Sequence, residues 1–264
     1  MSKEIMSTTK SNPKTLAGHE VLAKAGKTVL RPGGLEATRQ LLDWANFQPE
    51  ETVLELAASF GKSAIWLAQR YGVQVVGIER NPESVGIAQD NIRKAGLEGQ
   101  VEVREGDIFQ LDQISEQFDY VFAEAILTMQ SPTGKAKILA GIETILKPQG
   151  KFLSHEMLGL GEKQEMDRAL SQSIRVNAQP LSDTEWKELF KQAGLTITQS
   201  RTGEMGLLNP KRVIEDEGFF SAIKIGWNVL TNAEIRPRVL QMKQVFDQYQ
   251  DQLGYIAVCA TKEG

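Results

Sequence analysis

Four acidic residues, Glu55, Glu79, Asp107 and Glu124, each stand at or just beyond the end of a short run that is a candidate strand. In an open α/β sheet, ligands bind beyond the carboxyl ends of the strands, so these acids converge on one crevice if each run is a strand. Glu55 is followed by a turn of mostly small residues, Ala57-Ala58-Ser59-Phe60-Gly61, ahead of Lys62 and Ser63. Small residues beside a helix start let backbone approach a ligand closely. Glu79, with Arg80 behind it, ends the second run, where a carboxylate can accept both hydroxyls of a ribose. Gly106-Asp107 ends the third, where a carboxylate can accept a hydrogen bond from an adenine amine, and Ile78, Ile108 and Phe109 are placed to enclose the ring. Together these positions favour recognition of an adenosine.

Proton-transfer candidates lie at the same edge. His155 and Glu156 close a later apolar run, Glu124 and Met129 follow the fourth, and His19 lies near the N-terminus. Histidine titrates at about pH 6.5 and can take a proton from a hydroxyl or an amine, so His155 is the best base of the set, with Glu124 beside it. The competing reading is a hydrogen-bonded structural histidine, the commoner fate of an isolated histidine at a strand end.

Bringing these residues together requires alternating strands and helices. Strands are expected over 52–56, 73–78, 101–104, 120–123 and 151–157. Between them, helical spacing recurs over 35–45, 64–70 and 81–95, the last with Asn81 as cap, Pro82 in the first turn and Gly96 as stop. Ile138, Leu139, Ile142 and Ile145 mark a further helix, which Leu146-Lys147-Pro148-Gln149-Gly150 ends as a turn. Ser182 and Glu185 form a capping box before Trp186, Leu189 and Phe190, and strands come next at 195–201 and 255–261. This order calls for a doubly wound α/β fold with a mostly parallel sheet of seven strands and helices on both faces.

The chain divides into an N-terminal arm and lid over 1–30, a ligand-binding core over 31–204 and 253–264, and a helical cap inserted at 205–252. Within the arm, residues 1–15 are polar enough to be mobile. In the cap, Val239, Met242, Val245, Phe246 and Tyr249 form an inner stripe. Trp186, Phe219, Phe220, Trp227 and Tyr249 lie in or near it and either pack into a core or wall a pocket. Phe219-Phe220 with Ile223 and Trp227 has the spacing of a helix face that covers the sheet or a second subunit, so a homodimer is one expectation.

Composition narrows the partners. The 264 residues carry a net charge of −4, which leaves no basic field for a polynucleotide. A small-molecule substrate is favoured over nucleic acid. The single cysteine, Cys259, cannot form an internal disulfide or a cysteine-rich metal site, and no metal centre is expected. No segment reaches the roughly 18 apolar residues of a spanning helix, and the polar start lacks a signal-peptide core, so a reducing cytoplasm without membrane attachment is expected.

The chain resembles the class I S-adenosylmethionine-dependent methyltransferase family of small-molecule type. That family carries an acid followed by a Gly-x-Gly-x-Gly loop, acids after strands two and three, a Leu-x-Pro-Gly-Gly turn before strand five and a closing antiparallel strand pair. Here the matching residues are Glu55 through Gly61, Glu79, Gly106-Asp107, Leu146 through Gly150 and the strands near Ile197 and Val258. The resemblance implies a Rossmann-like fold with S-adenosylmethionine as cofactor. It implies that Glu55 with Ala57, Ala58, Ser59 and Gly61 holds the methionine part, that Glu79 and Arg80 hold the ribose, and that Gly106, Asp107 and Ile108 hold the adenine. Gly34 of the Arg31-Pro32-Gly33-Gly34 turn and Glu124 would complete the cofactor site. The activity implied is methyl transfer to an oxygen, nitrogen or carbon of a small metabolite.

This sequence departs from the pattern at Ala57 and Ser59, which replace two loop glycines. Positions that need positive φ would then carry a Cβ, at a cost on the order of 1 kcal/mol each. A nicotinamide-dependent dehydrogenase is the nearest rival by fold, but Glu55 at the loop mouth would repel a diphosphate and attract an ammonium. The other alternative is a cofactor-binding regulatory module or a non-methylating enzyme on the same fold.

Overall fold

The computed structural model describes residues 16–262. The polar stretch at 1–15, expected to be mobile, lies outside the described residues. Five strands, β1 (Thr52–Leu56), β2 (Gln74–Glu79), β3 (Val101–Glu105), β4 (Phe118–Glu124) and β5 (Leu146–Gly159), run parallel. Two more, β6 (Leu195–Glu204) and β7 (Leu253–Lys262), complete the sheet in the order β3-β2-β1-β4-β5-β7-β6, with β7 antiparallel to both neighbours. The order reverses between β1 and β4, where a crevice opens at the carboxyl ends. Register sets Glu55 beside Gly77 and Glu124 beside His155, so acids and histidine share that edge.

Among the described residues, the ten α-helices in chain order are α1 (Gly18–Ala25), α2 (Gly34–Ala45), α3 (Lys62–Tyr71), α4 (Pro82–Ala95), α5 (Pro132–Ile145), α6 (Lys163–Ile174), α7 (Asp183–Gln192), α8 (Pro210–Glu217), α9 (Phe219–Thr231) and α10 (Arg236–Gln248). One face of the sheet is covered by α2, α3 and α4, whose Leu41, Leu67 and Ile92 are buried in one cluster with Val53, Val75 and Phe122. The other is covered by α5 and α7 through Ile138, Ile142, Trp186 and Phe190. Each such side chain contributes roughly 1.5–3 kcal/mol by leaving water. A third cluster joins α1, α6 and α10 over the carboxyl end of β5, where Met157 meets Met166, Leu170 and Met242. Among the described residues, no helix is long and apolar enough to cross a membrane.

Local signals explain the boundaries. Asn81 accepts from Glu83 N–H and Ser84 N–H at the start of α4, and Gly96 ends it at φ 68°. Ser182 and Glu185 cap α7 reciprocally. One helix, α6, carried no readable signature: it lacks a side-chain cap and stops at Arg175 rather than at glycine. The turn expected at 147–150 is drawn into β5, with Gln149 at φ 64° and a register shift opposite Phe118 and Tyr120. Trp186 and Tyr249 are core residues, whereas Phe219, Phe220, Ile223 and Trp227 of α9 are 56–86% exposed and do not cover the sheet.

Candidate active site

The loop after β1 alternates left-handed residues: Ala57 has φ 55°, Ser59 φ 49° and Gly61 φ 70°. The two positions with a Cβ thus adopt the conformation that glycine would take at lower cost. Tertiary contacts hold it. Ala58 N–H donates to Ile78 O at 3.0 Å, and the missing side chain of Gly77 lets Ala58 settle on the sheet, since a Cβ there would lie 2.6 Å from that of Ala58. Ser59 N–H donates to Glu79 Oε2 and Asn81 N–H to Glu79 Oε1, both at 2.9 Å. Half-exposed Glu79 therefore ties the loop to the end of β2 and keeps lone pairs on each oxygen for a ligand.

Asp107 follows β3 and accepts Phe109 N–H at 2.9 Å, starting a 3-10 turn over Ile108–Gln113. Gly106 N–H donates to Glu79 O at 3.0 Å, which fixes the two acid-bearing turns side by side. Ile108 and Phe109 are half-buried next to them. Arg80, next in the chain after Glu79, is exposed.

Deeper in the crevice lie Glu55 and Glu124. Glu55 is buried and its Oε2 has no hydrogen-bond partner. Burial pushes its carboxyl up to about 8; Arg31, Ser63 and Ala64 N–H oppose the rise and Glu124 adds to it. Glu124, with 6% of its side chain exposed, behaves oppositely. Burial favours its neutral form, but Arg31, His155 and Thr38 outweigh that and hold it below the usual carboxylate range. Arg31 Nε lies 2.6 Å from Glu124 Oε2, while its other nitrogens donate to Thr38 Oγ1 and Ser63 Oγ at 3.2 Å each. One guanidinium therefore links β4, α2 and α3 around the acid pair.

His155 is fully buried. Gly33 N–H, which can only donate, points at its Nε2 from 2.9 Å, so Nε2 accepts and Nδ1 carries the hydrogen toward Glu124 Oε1 at 3.2 Å. Both ring nitrogens are engaged and neither is open to an acceptor molecule. Glu156 is also buried: it accepts Ile126, Leu127 and Thr128 N–H and the Thr128 hydroxyl at 2.6–3.1 Å, and so braces the turn after β4.

The 27–35 segment is clasped from the far side by α8. Glu217 accepts Thr28 N–H and Val29 N–H at 2.8 Å and the Thr28 hydroxyl at 2.7 Å. Asp216 accepts Leu35 N–H at 2.8 Å. Gly34, at φ 63°, must be glycine for a second reason: a Cβ would stand 2.5 Å from the Asp216 oxygens.

These residues suit S-adenosylmethionine. The orphaned, buried Glu55 oxygen is an acceptor waiting for a donor such as the ammonium of an amino-acid tail. Glu79 and Asp107 retain acceptor capacity at the ribose and adenine positions. The structure sets Gly34, Glu55, Ala57, Ala58, Ser59, Gly61, Glu79, Gly106, Asp107, Ile108 and Glu124 along the carboxyl edge of the sheet, with Arg80 exposed beside Glu79. Sequence reasoning missed the Arg31 side chain, Thr38, Ser63, Asp216 and Glu217. The Arg31-Pro32-Gly33-Gly34 turn was the one readable trace of this group.

Known proteins agree with this geometry. A family model described as a methyltransferase domain matches residues 47–194. An uncharacterized protein of Haemophilus influenzae is 36% identical over 93% of this chain and 98% of its own length. Phosphoethanolamine N-methyltransferase 1 of Arabidopsis thaliana is 26% identical over 68% of this chain, which spans 36% of that enzyme. Among solved structures, Haemonchus contortus phosphoethanolamine N-methyltransferase 2 in complex with S-adenosyl-L-methionine shares the fold, with a TM-score of 0.72 and 18% identity over 98% of this chain and 59% of that one. The chain belongs to the methyltransferase-domain family and is a class I S-adenosylmethionine-dependent methyltransferase with S-adenosylmethionine as its cofactor.

Proposed function

We propose that the protein transfers a methyl group from S-adenosylmethionine to a small metabolite, chiefly by holding donor and acceptor in line. The observation that carries this reading is the unpartnered Glu55 oxygen beside the left-handed 57–61 loop, a pairing suited to a zwitterionic amino-acid tail. When bound, the cofactor supplies an electrophilic methyl group on a sulfonium. Glu55 and the loop hold the tail, Glu79 the ribose hydroxyls and Asp107 the adenine amine. Glu124 and His155 act as positioning residues: with Arg31 they fix the Gly33-Gly34 turn against the sheet. Proximity and alignment of this kind are worth about 7–11 kcal/mol of barrier, so a general base is optional. From the 205–252 side, Asp216 and Glu217 at the end of α8 hold the segment that carries the Gly33-Gly34 turn.

The acceptor class runs from phosphorylated amines, such as the one in the plant relative's name, to apolar metabolites. Buried, unpaired Cys259 fits a reducing cytoplasm. Calorimetric titration with S-adenosylhomocysteine, with NAD as control, tests the site. Binding of the first alone is expected, weakened in Glu79→Ala by about 1–3 kcal/mol. Equal binding of NAD, or an unaffected Glu79→Ala variant, sinks this placement.

A further inference from the structure

A small cavity of about 50 Å³ adjoins the crevice. Pro32 and Ala125 form its near wall, each one residue from the Arg31–Glu124 pair, and Ala125 is held there at φ 57° with its N–H on His155 O. Met157, Met205, Met242 and Phe246 supply much of the remainder, from β5, the segment before α8, and α10. His19, on α1, is the one titratable side chain in the lining.

We infer that this cavity receives the methyl acceptor, and that the acceptor is an uncharged molecule with an apolar body and a single hydroxyl or amine, not a phosphorylated amine. The assignment rests on the methyl-transfer reading above. Burying a phosphate demands paired cations or several donors, and an unpaired charge in an apolar wall costs many kcal/mol. Among the described residues, no lysine or arginine lines the cavity. Arg31 is bound to Glu124 and Lys27 to Glu217, and Arg238, one turn from Met242 on α10, donates through its terminal nitrogens to the carbonyls of Leu16 and Ser173, with its Nε unpartnered and its side chain outside the lining. A drug-sized ligand needs a pocket of about 300 Å³ or more, so the cavity must widen to be filled. The lining suits that change: unbranched methionines repack readily, and Met205 sits on the segment that leads into the α8 clasp. His19 is the side chain in the lining able to accept the proton that the acceptor loses as its bond to the methyl carbon forms and the carbon–sulfur bond of the sulfonium donor breaks, the electron pair staying on sulfur in S-adenosylhomocysteine.

The test uses full-length protein labelled at its methionine methyl carbons and saturated with S-adenosylhomocysteine, whose own binding is measured first by calorimetry. Failure at that calorimetric step refutes the cofactor-site reading, whereas the acceptor assignment is judged on the methionine resonances. The loaded protein is titrated with p-cresol, indole and hexanol, and separately with phosphoethanolamine. The neutral probes are expected to move the Met157, Met205 and Met242 resonances, while phosphoethanolamine leaves them in place. Met205→Lys should weaken the neutral probes about tenfold or more with S-adenosylhomocysteine affinity unchanged. Leu207→Trp, which fills the cavity without charge, should do the same if the lysine variant folds poorly. Methionines unmoved by all three neutral probes, or shifts by phosphoethanolamine that vanish in Arg238→Gln, overturn the assignment.

Discussion

Asp216 accepts Leu35 N–H at 2.8 Å through a carboxylate that stands 2.5 Å from where a side chain on Gly34 would begin. With Glu217 on Thr28 and Val29, it makes the end of α8 a two-point clasp on the segment that crosses the crevice. The combined variant D216N/E217Q should loosen that segment by about 1–3 kcal/mol, since charged acceptors are replaced by weaker ones. Amide hydrogens of residues 27–35 are then expected to exchange faster, and S-adenosylhomocysteine to associate and dissociate faster. Unchanged protection would show that other contacts hold the segment.

His155 is expected to matter for architecture more than for proton transfer. His155→Ala removes a buried ring and leaves Gly33 N–H unpaired, which should cost about 1–3 kcal/mol of stability. The activity that remains should keep the shape of its pH–rate profile. Disappearance of one limb of that profile, with an unchanged melting temperature, would restore His155 to the role of base.

The difference between these roles marks the limit of what the sequence discloses. The inner strands Thr52–Leu56, Gln74–Glu79 and Phe118–Glu124 were legible because parallel strands buried on both faces need apolar runs and each carries an acid at or beside its end, whereas the edge strand Val101–Glu105 showed as alternation. That His155 stands at the ligand edge was equally legible. That both its nitrogens are taken was not, because one partner, Gly33, lies 122 residues away in a plain-looking turn. Asp216 and Glu217 read as the solvated end of a charged helix and acquire their role only through tertiary contact. The aromatic face of α9 had the spacing of a buried stripe, yet spacing alone does not say that the partner surface lies within the chain.

Ala57 and Ser59 hold left-handed backbone without glycine. Replacing either by glycine relieves about 1–2 kcal/mol of steric cost and returns about 0.5–1 kcal/mol through the freer unfolded chain. A net gain of about 0.5–1 kcal/mol is expected for each, read as a higher melting temperature with S-adenosylhomocysteine affinity retained. A lower melting temperature in both variants would mean that their side chains make contacts outweighing the strain.

Glu55 gives the clearest pH signature. Burial raises its carboxyl to about 8 in the free protein, so between the ordinary carboxylate range and pH 8 the folded state binds a proton that the unfolded state has released. Stability from this group is therefore greatest at the acid end and falls as pH rises through that window. Glu55→Gln, which cannot ionise, should flatten the decline. An ammonium brought to the orphaned oxygen favours the carboxylate, so binding of S-adenosylhomocysteine at pH 7 should expel about one proton. The calorimetric enthalpy should then vary with the ionisation enthalpy of the buffer in the native protein and not in Glu55→Gln. A native enthalpy indifferent to buffer would place the ammonium away from Glu55.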